Sequence, residues 1–577
     1  MKYLNKLFLV FLLGFTLSSC SDLTELDLLD NPNAVTPENA GIDFLYNNIQ
    51  LQFRNFHNGF HFDIDGIVRY TCDVNFTYAA ALPPTDGNGQ WLDAYADLFP
   101  DMEALIALAQ ERELNVYEGN TKVMKAYVMT TLVDFFKDVP YTEAGQGTDV
   151  ISPSADEGST IYAAADALLD EAIGLLEQGG ASPIADIYYG GSTSNWITLA
   201  KTLKLRNALN TRLVNSGAGS TIQSLVGGGD IIDQNSESFV FQYGQERDDP
   251  ASRHPFYNNH YENGDGDYMG NYIMWLMCCE KLDADENVVV DPRIRYYFYR
   301  QVRESYGLDA TVYGCHLSEE PDDIDLSSPV LAHYASVDPR LPYCVASDNG
   351  YYGRDHMNGQ GIPPDGPIRT VYGLYPGGGK WDGDTYQIVQ NGGVDGGTGK
   401  GLMPIITASS VDFMRAEAAL TAGTGEDARA LLESGVRKSI ADVFAFQSVS
   451  PSDFSETVFD PIEGVDKARG DVFGADDDDI ETYVAQVLEN YDNASDKLDV
   501  VMKEAYISRF GNAVETYNAY RRTGKPNNMQ PAIDALAADA FPRSMLLPAN
   551  HVNQNANATQ KTIGDLVFWD NGSAPVR

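Results

Sequence analysis

The chain has 577 residues, of which 43% are hydrophobic and 21% are charged. This length and apolar content exclude a disordered chain and allow a sizeable folded body. The formal net charge of −44 repels phosphate backbones, so nucleic acid is not an expected partner.

The N-terminus is built as a secretion signal. Lys2 and Lys6 precede an apolar run at residues 7–17, and two serines then lead to Cys20. The run is too short to span a bilayer, and no later stretch reaches the roughly 18 apolar residues that a membrane helix needs. Leu-Ser-Ser-Cys at residues 17–20 resembles the lipobox of bacterial lipoproteins, which implies lipidation of Cys20. An ordinary signal peptide with a chance cysteine is the alternative.

We therefore predict a signal peptide at 1–19, a lipidated tether at 20–40 and a single domain at 41–577. The remaining five cysteines are too few for a disulfide scaffold. A bond between Cys315 and Cys344 could form in an exported loop. The adjacent Cys278 and Cys279 lack a second pair at metal-ligand spacing, so they are interpreted as buried small hydrophobic residues.

Apolar residues at helical spacing predict two groups of helices. In the clearest one, Ile161, Ala165, Leu169, Ala172 and Leu176 form one stripe. The predicted helices cover 91–113, 120–137, 159–178, 195–215, 410–422, 426–443 and 481–510, and Asn512 begins a further one. The scaffold is expected at about 41–215 and 408–577.

Residues of about 217–405 are rich in Gly, Asp, Asn, Pro and Tyr, and they show only short periodic runs. A stretch of this length is too long for one connection, so we expect a loop-rich layer with few short strands, packed over the helices. No cofactor is predicted. The acidic run at 476–479 could hold a structural calcium ion, but it lacks the ligand spacing of a calcium loop, which favours a solvated turn.

Several motifs follow one another along the chain. They are Lys137-Asp138-Val139-Pro140-Tyr141, Asn195-Trp196, Tyr375-Pro376-Gly377-Gly378-Gly379, Arg415-Ala416-Glu417-Ala418 and Tyr520-Arg521-Arg522-Thr523-Gly524-Lys525-Pro526. In this order they resemble the SusD/RagB outer-membrane lipoproteins of Bacteroidota, with Lys137 where glycine is usual. The resemblance covers most of residues 20–577. From the residues alone, these motifs are interpreted as fold signatures; Arg521 and Arg522, for example, can satisfy helix-end carbonyls.

The resemblance implies a mainly α fold, a right-handed superhelix of tetratricopeptide-like helix pairs, with the binding site carried by the irregular layer. It also implies lipid anchoring in the outer membrane on the extracellular side, with no other membrane contact. The implied partner is a SusC-like TonB-dependent transporter, over which the protein closes as a lid.

Motifs of enzymes are missing from the sequence. The Gly-rich stretch ending at Lys400 lacks the first glycine and the Ser or Thr of a phosphate loop. His57 and His61 are four residues apart, but Gly59 weakens any helix that would bring them together as metal ligands. Because 83 acidic residues will always supply a chance pair, counting carboxylates does not identify a glycosidase. We therefore predict no catalysis.

A sugar site needs aromatic platforms beside hydrogen-bonding groups, because sugars have flat apolar faces edged by hydroxyls. The irregular segments contain both kinds of residue, although tyrosines in such a layer can equally form its core. The candidate ligand-binding residues are Arg69, Asp73, Asn75, Tyr78, Tyr268, Tyr272, Tyr351, Tyr352, Tyr375 and Trp381. Trp381, expected to be exposed beside Gly377–Gly379, is the strongest single candidate.

These observations predict a surface lipoprotein that captures an oligosaccharide and delivers it to its transporter. Peptide capture is the alternative within the same class. From other classes, a lipid-anchored glycoside hydrolase would need two converging carboxylates in an aromatic cleft, and a structural or adhesion subunit would have no concave aromatic site.

Overall fold

A computed structural model describes residues 41–264, 266–303, 329–342, 350–359, 369–533 and 540–577, except for the side chains of 329–331. The predicted signal peptide, the Cys20 lipidation site and the Cys315–Cys344 bond lie outside the described residues. Cys278 and Cys279 are not simply the buried small hydrophobic residues that the sequence analysis predicted. Their sulfur atoms are joined in a disulfide, whereas Cys72 is free and buried.

The structure is mainly helical, which confirms the predicted fold class. The α-helices are α1 Ile42–Ile64, α2 Tyr78–Ala81, α3 Asn88–Leu92, α4 Phe99–Glu111, α5 Asn115–Phe136, α6 Gly158–Gln178, α7 Thr193–Thr211, α8 Ala218–Gly228, α9 Pro255–Tyr257, α10 Asn271–Cys278, α11 Ile294–Tyr297, α12 Pro329–Val337, α13 Ala408–Thr421, α14 Ala428–Phe444, α15 Pro451–Ser455, α16 Arg469–Phe473, α17 Asp477–Asn493, α18 Lys497–Ser508, α19 Ala513–Thr523 and α20 Ala549–Gln554. A π-helical turn, Asp93–Leu98, joins α3 to α4.

The strands described are short and form three antiparallel pairs. They are β1 Phe239–Gln242, β2 Phe298–Tyr299, β3 Val371–Tyr372, β4 Leu402–Ile406, β5 Thr457–Asp460 and β6 Val465–Ala468. β1 pairs with β4, so that Phe239 lies opposite Ile406 and Gln242 opposite Leu402. The two ends of the loop-rich layer are therefore hydrogen-bonded to each other where the layer leaves the scaffold and returns.

Consecutive helices pack in pairs, as the superhelix requires. α5 packs on α6, α6 on α7, and α13 on α14. Helix α5 is buried on nearly all sides because its neighbours cover it from both directions. A helix in this position needs side chains that are apolar or paired with one another, which agrees with the run of Val, Tyr, Leu and Phe in its sequence.

The sequence patterns did not predict the first helix, α1. Gly59 does not interrupt it; a Cβ atom at this position would lie 2.7 Å from Nε2 of Gln90, so glycine allows close packing. His57 and His61 do share this helix, but each has its own partner. Nδ1 of His57 lies 2.7 Å from the Tyr127 hydroxyl, and Nδ1 of His61 accepts from the Ala513 amide. Burial lowers the pKa of both imidazoles to about 3.

The acidic run at 476–479 does not form the expected solvated turn. Asp476 caps helix α17, and its side chain and that of Asp479 each accept from the other residue's amide. Carboxylates at a helix N-terminus satisfy free amides and interact favourably with the helix dipole. The stretch predicted as one helix at 481–510 is divided in the same way, because Asp496 caps the separate helix α18.

A buried polar network joins the two groups of helices. The carboxylate of Asp134 on α5 accepts from Arg206 on α7, from Asn518 on α19 and from the indole of Trp569. Arg206 also contacts the carboxylate of Glu515 on α19. Each charge has partners on helices from both ends of the chain, which offsets the large desolvation penalty of burying it.

A second buried ion pair connects α19 to α13. Arg522 donates to both oxygens of Glu417, at 2.8 and 2.7 Å, and Arg212 lies 3.1 Å from the same carboxylate. Burial alone would raise the pKa of Glu417, but the two guanidinium groups outweigh it and hold this pKa below its usual range. The interpretation that Arg521 and Arg522 satisfy helix-end carbonyls is therefore wrong for Arg522. Arg521 donates to the carbonyl of Arg543, outside any helix.

Candidate functional site

Three chain segments run side by side at the edge of the loop-rich layer. Thr71 forms an antiparallel bridge with Met269, and Gly270 forms a parallel bridge with Arg354. We call these segments, residues 69–78, 266–270 and 350–359, the seam. Seven of the ten candidate ligand-binding residues lie in it, so the structure does bring together residues that are almost 300 positions apart in the sequence.

Arg69 and Tyr78 lie beneath the seam rather than on its surface. The Arg69 guanidinium donates to the carbonyls of Gln530 and Arg577 and to the Tyr78 hydroxyl. The same hydroxyl lies 3.1 Å from Nε2 of His356. Burial lowers the pKa of His356 well below its usual value, and the Arg69 charge lowers it further. This cluster fixes the seam to the C-terminal segment.

The tyrosines of the seam are also buried, and arginines cover their rings. The Arg354 guanidinium lies 4.7 Å from the ring centroid of Tyr268, and the Arg300 guanidinium lies 4.8 Å from that of Tyr351. Tyr352 is buried, and its amide donates to the Thr370 hydroxyl. Such cation–π contacts stabilise the layer, and they occupy the ring faces that a sugar would need.

The expected exposure of Trp381 is wrong. Its side chain is 2% exposed, and its ring centroid lies 4.3 Å from that of Phe454. Tyr375 stacks on Tyr297, and the Tyr272 hydroxyl donates to Asn528 in the interior. These three residues lie outside the seam. Their contact with a ligand stays a prediction, one that would require the covering residues to move.

The exposed part of the seam is the loop at residues 73–77, which we call the Phe76 loop. It contains the predicted Asp73 and Asn75, and it also contains Phe76, whose side chain is 39% exposed. The φ angle of Phe76 is +61°. This conformation is strained for a bulky residue, and such strain is concentrated at functional sites.

Local hydrogen bonds hold the Phe76 loop in this shape. Oδ1 of Asp73 accepts from the backbone and side-chain amides of Asn75, at 2.8 and 2.9 Å. Thr77 then caps helix α2 by accepting from the Ala80 amide. Behind the ring, a Cβ atom on Gly359 would lie 2.5 Å from the Phe76 ring, so only glycine lets the third seam segment approach so closely.

The electrostatics of this surface are acidic. Burial raises the pKa of Asp73, and hydrogen bonds from Asn75 oppose the shift. Burial also raises the pKa of Asp65 well above its usual value, and the neighbouring carboxylates Asp267 and Asp73 add to it. Among the residues that the structure describes, no three His, Cys, Asp or Glu side chains are grouped as metal ligands would be.

Comparisons with known protein families decide the family of this chain. A family described as "Starch-binding associating with outer membrane" matches residues 32–343, and one described as "Susd and RagB outer membrane lipoprotein" matches residues 378–576. The chain belongs to the SusD/RagB family. The resemblance found in its motifs is thereby confirmed. None of the curated proteins compared with the chain matches it.

Solved SusD/RagB structures share this fold. One family protein from Bacteroides thetaiotaomicron is 16% identical, with a TM-score of 0.62 over 92% of this chain and 100% of its own. A SusD homologue from Bacteroides ovatus is 19% identical, with a TM-score of 0.59 over 92% and 99%. A chitin-binding SusD homologue from Flavobacterium johnsoniae is 17% identical, with a TM-score of 0.58 over 92% and 99%. At these identities the likeness shows the fold alone.

The helices of this SusD/RagB protein also bear on its relation to a membrane. In the described ranges, none of the helices combines the length and the apolar character that a membrane crossing requires.

Sequence reasoning missed Phe76. A phenylalanine without helical or strand periodicity around it gives no sign of whether it faces solvent. The available signal was its position directly after Asn75, between a turn-forming Asp and a helix-capping Thr. That pattern predicts a tight surface loop, and an aromatic residue inside such a loop has few apolar neighbours to cover it.

Proposed function

We propose that this SusD/RagB protein is a cell-surface lipoprotein that binds an oligosaccharide through the Phe76 loop and does not cleave it. The observation that carries this proposal is an exposed aromatic ring, held at a strained backbone angle, with Asp73 and Asn75 within three residues of it. The other aromatic candidates of the seam are buried.

The chemistry of the loop suits a sugar ring. The apolar face of a pyranose can lie on the Phe76 ring, while carboxylate and amide groups bind the hydroxyls at its edge. Asp73 already uses one oxygen on Asn75, which leaves its second oxygen to accept from a sugar hydroxyl. A fixed loop loses little conformational entropy on binding, so a weakly attractive surface can still give useful affinity.

The relatives support the same ligand class. The family description names starch binding, and the solved homologue from Flavobacterium johnsoniae is described as chitin-binding. Both ligands are neutral polysaccharides of six-membered rings. The acidic surface of this chain also disfavours polyanionic glycans, so a neutral oligosaccharide is the ligand proposed here.

A lipid anchor and a transporter partner complete the proposed function. Lipidation of Cys20 would hold the protein in the outer membrane, facing outwards, because acyl chains contribute about 0.8 kcal/mol per buried methylene. A SusC-like TonB-dependent transporter would receive the ligand when the protein closes over it as a lid. The family description as outer-membrane lipoproteins supports this arrangement.

Binding to a glycan array, followed by calorimetry with chitotetraose and maltotetraose, tests the ligand. Purified residues 21–577 should bind at least one saccharide, and Phe76→Ala should weaken that binding by at least about tenfold, or about 1.4 kcal/mol. Phe459→Ala is the matched control, because Phe459 is an exposed phenylalanine (61%) on the distant β5 strand. Trp381→Ala should change affinity less than Phe76→Ala does.

The other readings predict different outcomes. If only peptides bind, the protein is a peptide-binding member of the family. Release of shorter saccharides by the purified protein would instead indicate a lipid-anchored glycoside hydrolase. Binding that Phe76→Ala leaves intact would remove the Phe76 loop from the site.

The anchor is tested separately. Cells expressing the full chain should incorporate a fatty-acid probe into it, and Cys20→Ala should abolish this labelling and release the protein from the membrane fraction. Protein that is unlabelled in the wild type, or recovered from the cytosol, would contradict the lipoprotein assignment.

A further inference from the structure

A second concave aromatic site lies on the helical scaffold. The cavity has a volume of about 280 Å³ and is bounded by Tyr95, Phe99, Glu103, Lys125, Pro140 and Tyr141. It lies between the π-helical turn that precedes α4 and the turn that follows α5, and it shares no residue with the seam. We call it the Tyr95 cleft.

The π-helical turn determines how Tyr95 is presented. The Phe99 amide donates to the carbonyl of Ala94, five residues back, and Pro100 has no amide to restore the normal helical pattern. Single π turns in α-helices occur frequently at functional sites. Here the widened turn places Tyr95 at the wall of the cleft, and its hydroxyl donates to the Pro140 carbonyl at 2.7 Å.

Aromatic rings line one wall in a fixed arrangement. The Tyr95 ring lies 4.7 Å from that of Trp91 and 5.4 Å from that of Phe99, so it cannot rotate without disturbing both. Tyr141 is half-buried on the turn that forms the opposite wall. Among the described residues, no group hydrogen-bonds its hydroxyl. The cleft therefore has fixed rings on one side and, on the other, a phenol that is open to a ligand.

A charged pair supplies the polar side of the cleft. Lys125 is buried on α5 and contacts the carboxylate of Glu103, which is exposed. The pair is neutral as a whole and offers both a donor and an acceptor. An ionic ligand would have to break it, whereas a neutral polyol can accept from the ammonium and donate to the carboxylate.

We infer that the Tyr95 cleft is a second saccharide subsite that takes one neutral pyranose ring between Tyr95 and Tyr141, with its hydroxyls on Glu103 and Lys125. The cavity is slightly smaller than the roughly 300–1,000 Å³ of pockets for larger ligands, as a single ring requires. This inference rests on the proposed function, because a second subsite is useful only to a protein that captures glycans.

Trp91 provides a local reporter for the test. The chain contains five tryptophans, so incorporation of 5-fluorotryptophan gives five ¹⁹F resonances, and Trp91→Phe identifies the one next to Tyr95. The probes are D-glucose, N-acetyl-D-glucosamine, maltose and chitobiose, with decaproline as the peptide probe, each added to residues 21–577. At least one of the four sugars should shift the Trp91 resonance saturably.

Variants assign the response to the cleft. Tyr141→Ala should weaken it by at least about tenfold. Glu103→Gln, which keeps a carbonyl oxygen beside Lys125 but removes the negative charge, should weaken it as well. Tyr141→Phe keeps the ring and should retain most of the response. Phe76→Ala should leave the response unchanged, because Phe76 belongs to the other site.

The outcomes separate this inference from the proposed function. A Trp91 resonance that no probe shifts, or that still shifts in Tyr141→Ala, overturns the second subsite, while tetrasaccharide binding lost in Phe76→Ala would leave the proposed function standing. A saturable shift caused only by decaproline would make the cleft a peptide site and overturn the inference. A sugar response at Trp91, together with tetrasaccharide binding that Phe76→Ala leaves intact, would support the cleft and reject the Phe76 loop.

Discussion

The guanidinium of Arg206 lies 2.9 Å from the carboxylate of Asp134, and both side chains are almost completely buried. Asp134 belongs to the N-terminal group of helices, yet it also accepts from Asn518 and Trp569 near the other end of the chain. This arrangement explains how two groups of helices separated by a long irregular layer form one scaffold.

Removing the carboxylate from this network should strongly destabilise the protein. Asp134→Ala leaves the buried Arg206 with one carboxylate fewer and three other donors, on Tyr162, Asn518 and Trp569, without their acceptor. We therefore expect the free energy of unfolding to fall by about 3–5 kcal/mol. Urea denaturation followed by circular dichroism measures the change. The control is Lys201→Ala, which removes a more exposed pair with Asp230 and should change stability by at most about 1 kcal/mol. Equal effects of the two substitutions would contradict the role of the network.

Backbone strain at Phe76 predicts an unusual order of stabilities. Phe76→Ala and Phe76→Gly both remove the ring, but only glycine adopts a φ of +61° without penalty. Phe76→Gly should therefore be more stable than Phe76→Ala by about 1 kcal/mol. The control is Ala80→Gly at an ordinary helical position of α2, where glycine should be less stable than alanine. If Phe76→Gly is the less stable of the two, the loop is not strained.

Lys137 gives a related prediction on the scaffold. It follows α5 with φ +78° and ψ −86°, at the position where the resemblance to the family places glycine. Lys137→Gly should raise the free energy of unfolding by about 1 kcal/mol. Ala441→Gly, at an exposed position inside α14, should lower it by a similar amount. Thermal or urea unfolding of the two variants checks both signs.

The carboxyl group of Asp63 is expected to make the stability of the protein depend on pH. Burial, and secondarily the charge of Asp86, raises the pKa of Asp63 from 3.8 to about 8, so folding favours the protonated form. Its contribution to stability is therefore greatest below about pH 4 and is lost as the pH rises towards 8. Asp63→Asn should flatten the decline of the thermal midpoint between pH 5 and 8. Asp466→Asn, on the exposed β6 strand, should leave the decline unchanged.

Much of the scaffold could be predicted from the sequence, because a helix with one apolar face leaves a clear period. Helix α6 was found within one residue at its start and at the right residue at its end. Helix α1 was missed because a glycine inside a helix usually weakens it. Here, however, Gly59 permits the close approach of Gln90. A contact with a residue thirty positions away leaves no local pattern.

The site was less predictable. The candidates chosen from the sequence include Asp73 and Asn75 of the loop that we propose as the site. Trp381 was ranked first, however, and its side chain is covered by Phe454. A layer without long helices has to build its own core, and here the tyrosines and Trp381 form it. Which aromatic residue remains outside depends on tertiary packing, so only the structure shows that it is Phe76.

The pairing of β1 with β4 closes a long excursion of the chain. Residues 243–401 leave and re-enter the scaffold through one two-stranded clasp, closed by the register of Phe239 with Ile406. Insertions or deletions in exposed turns beyond the clasp need not alter the spacing of the supporting helices, whereas buried contacts such as the ion pair of Arg293 with Glu504 on α18 have to be kept. Chimeras joined at the clasp that keep those buried contacts would carry different exposed turns on one scaffold.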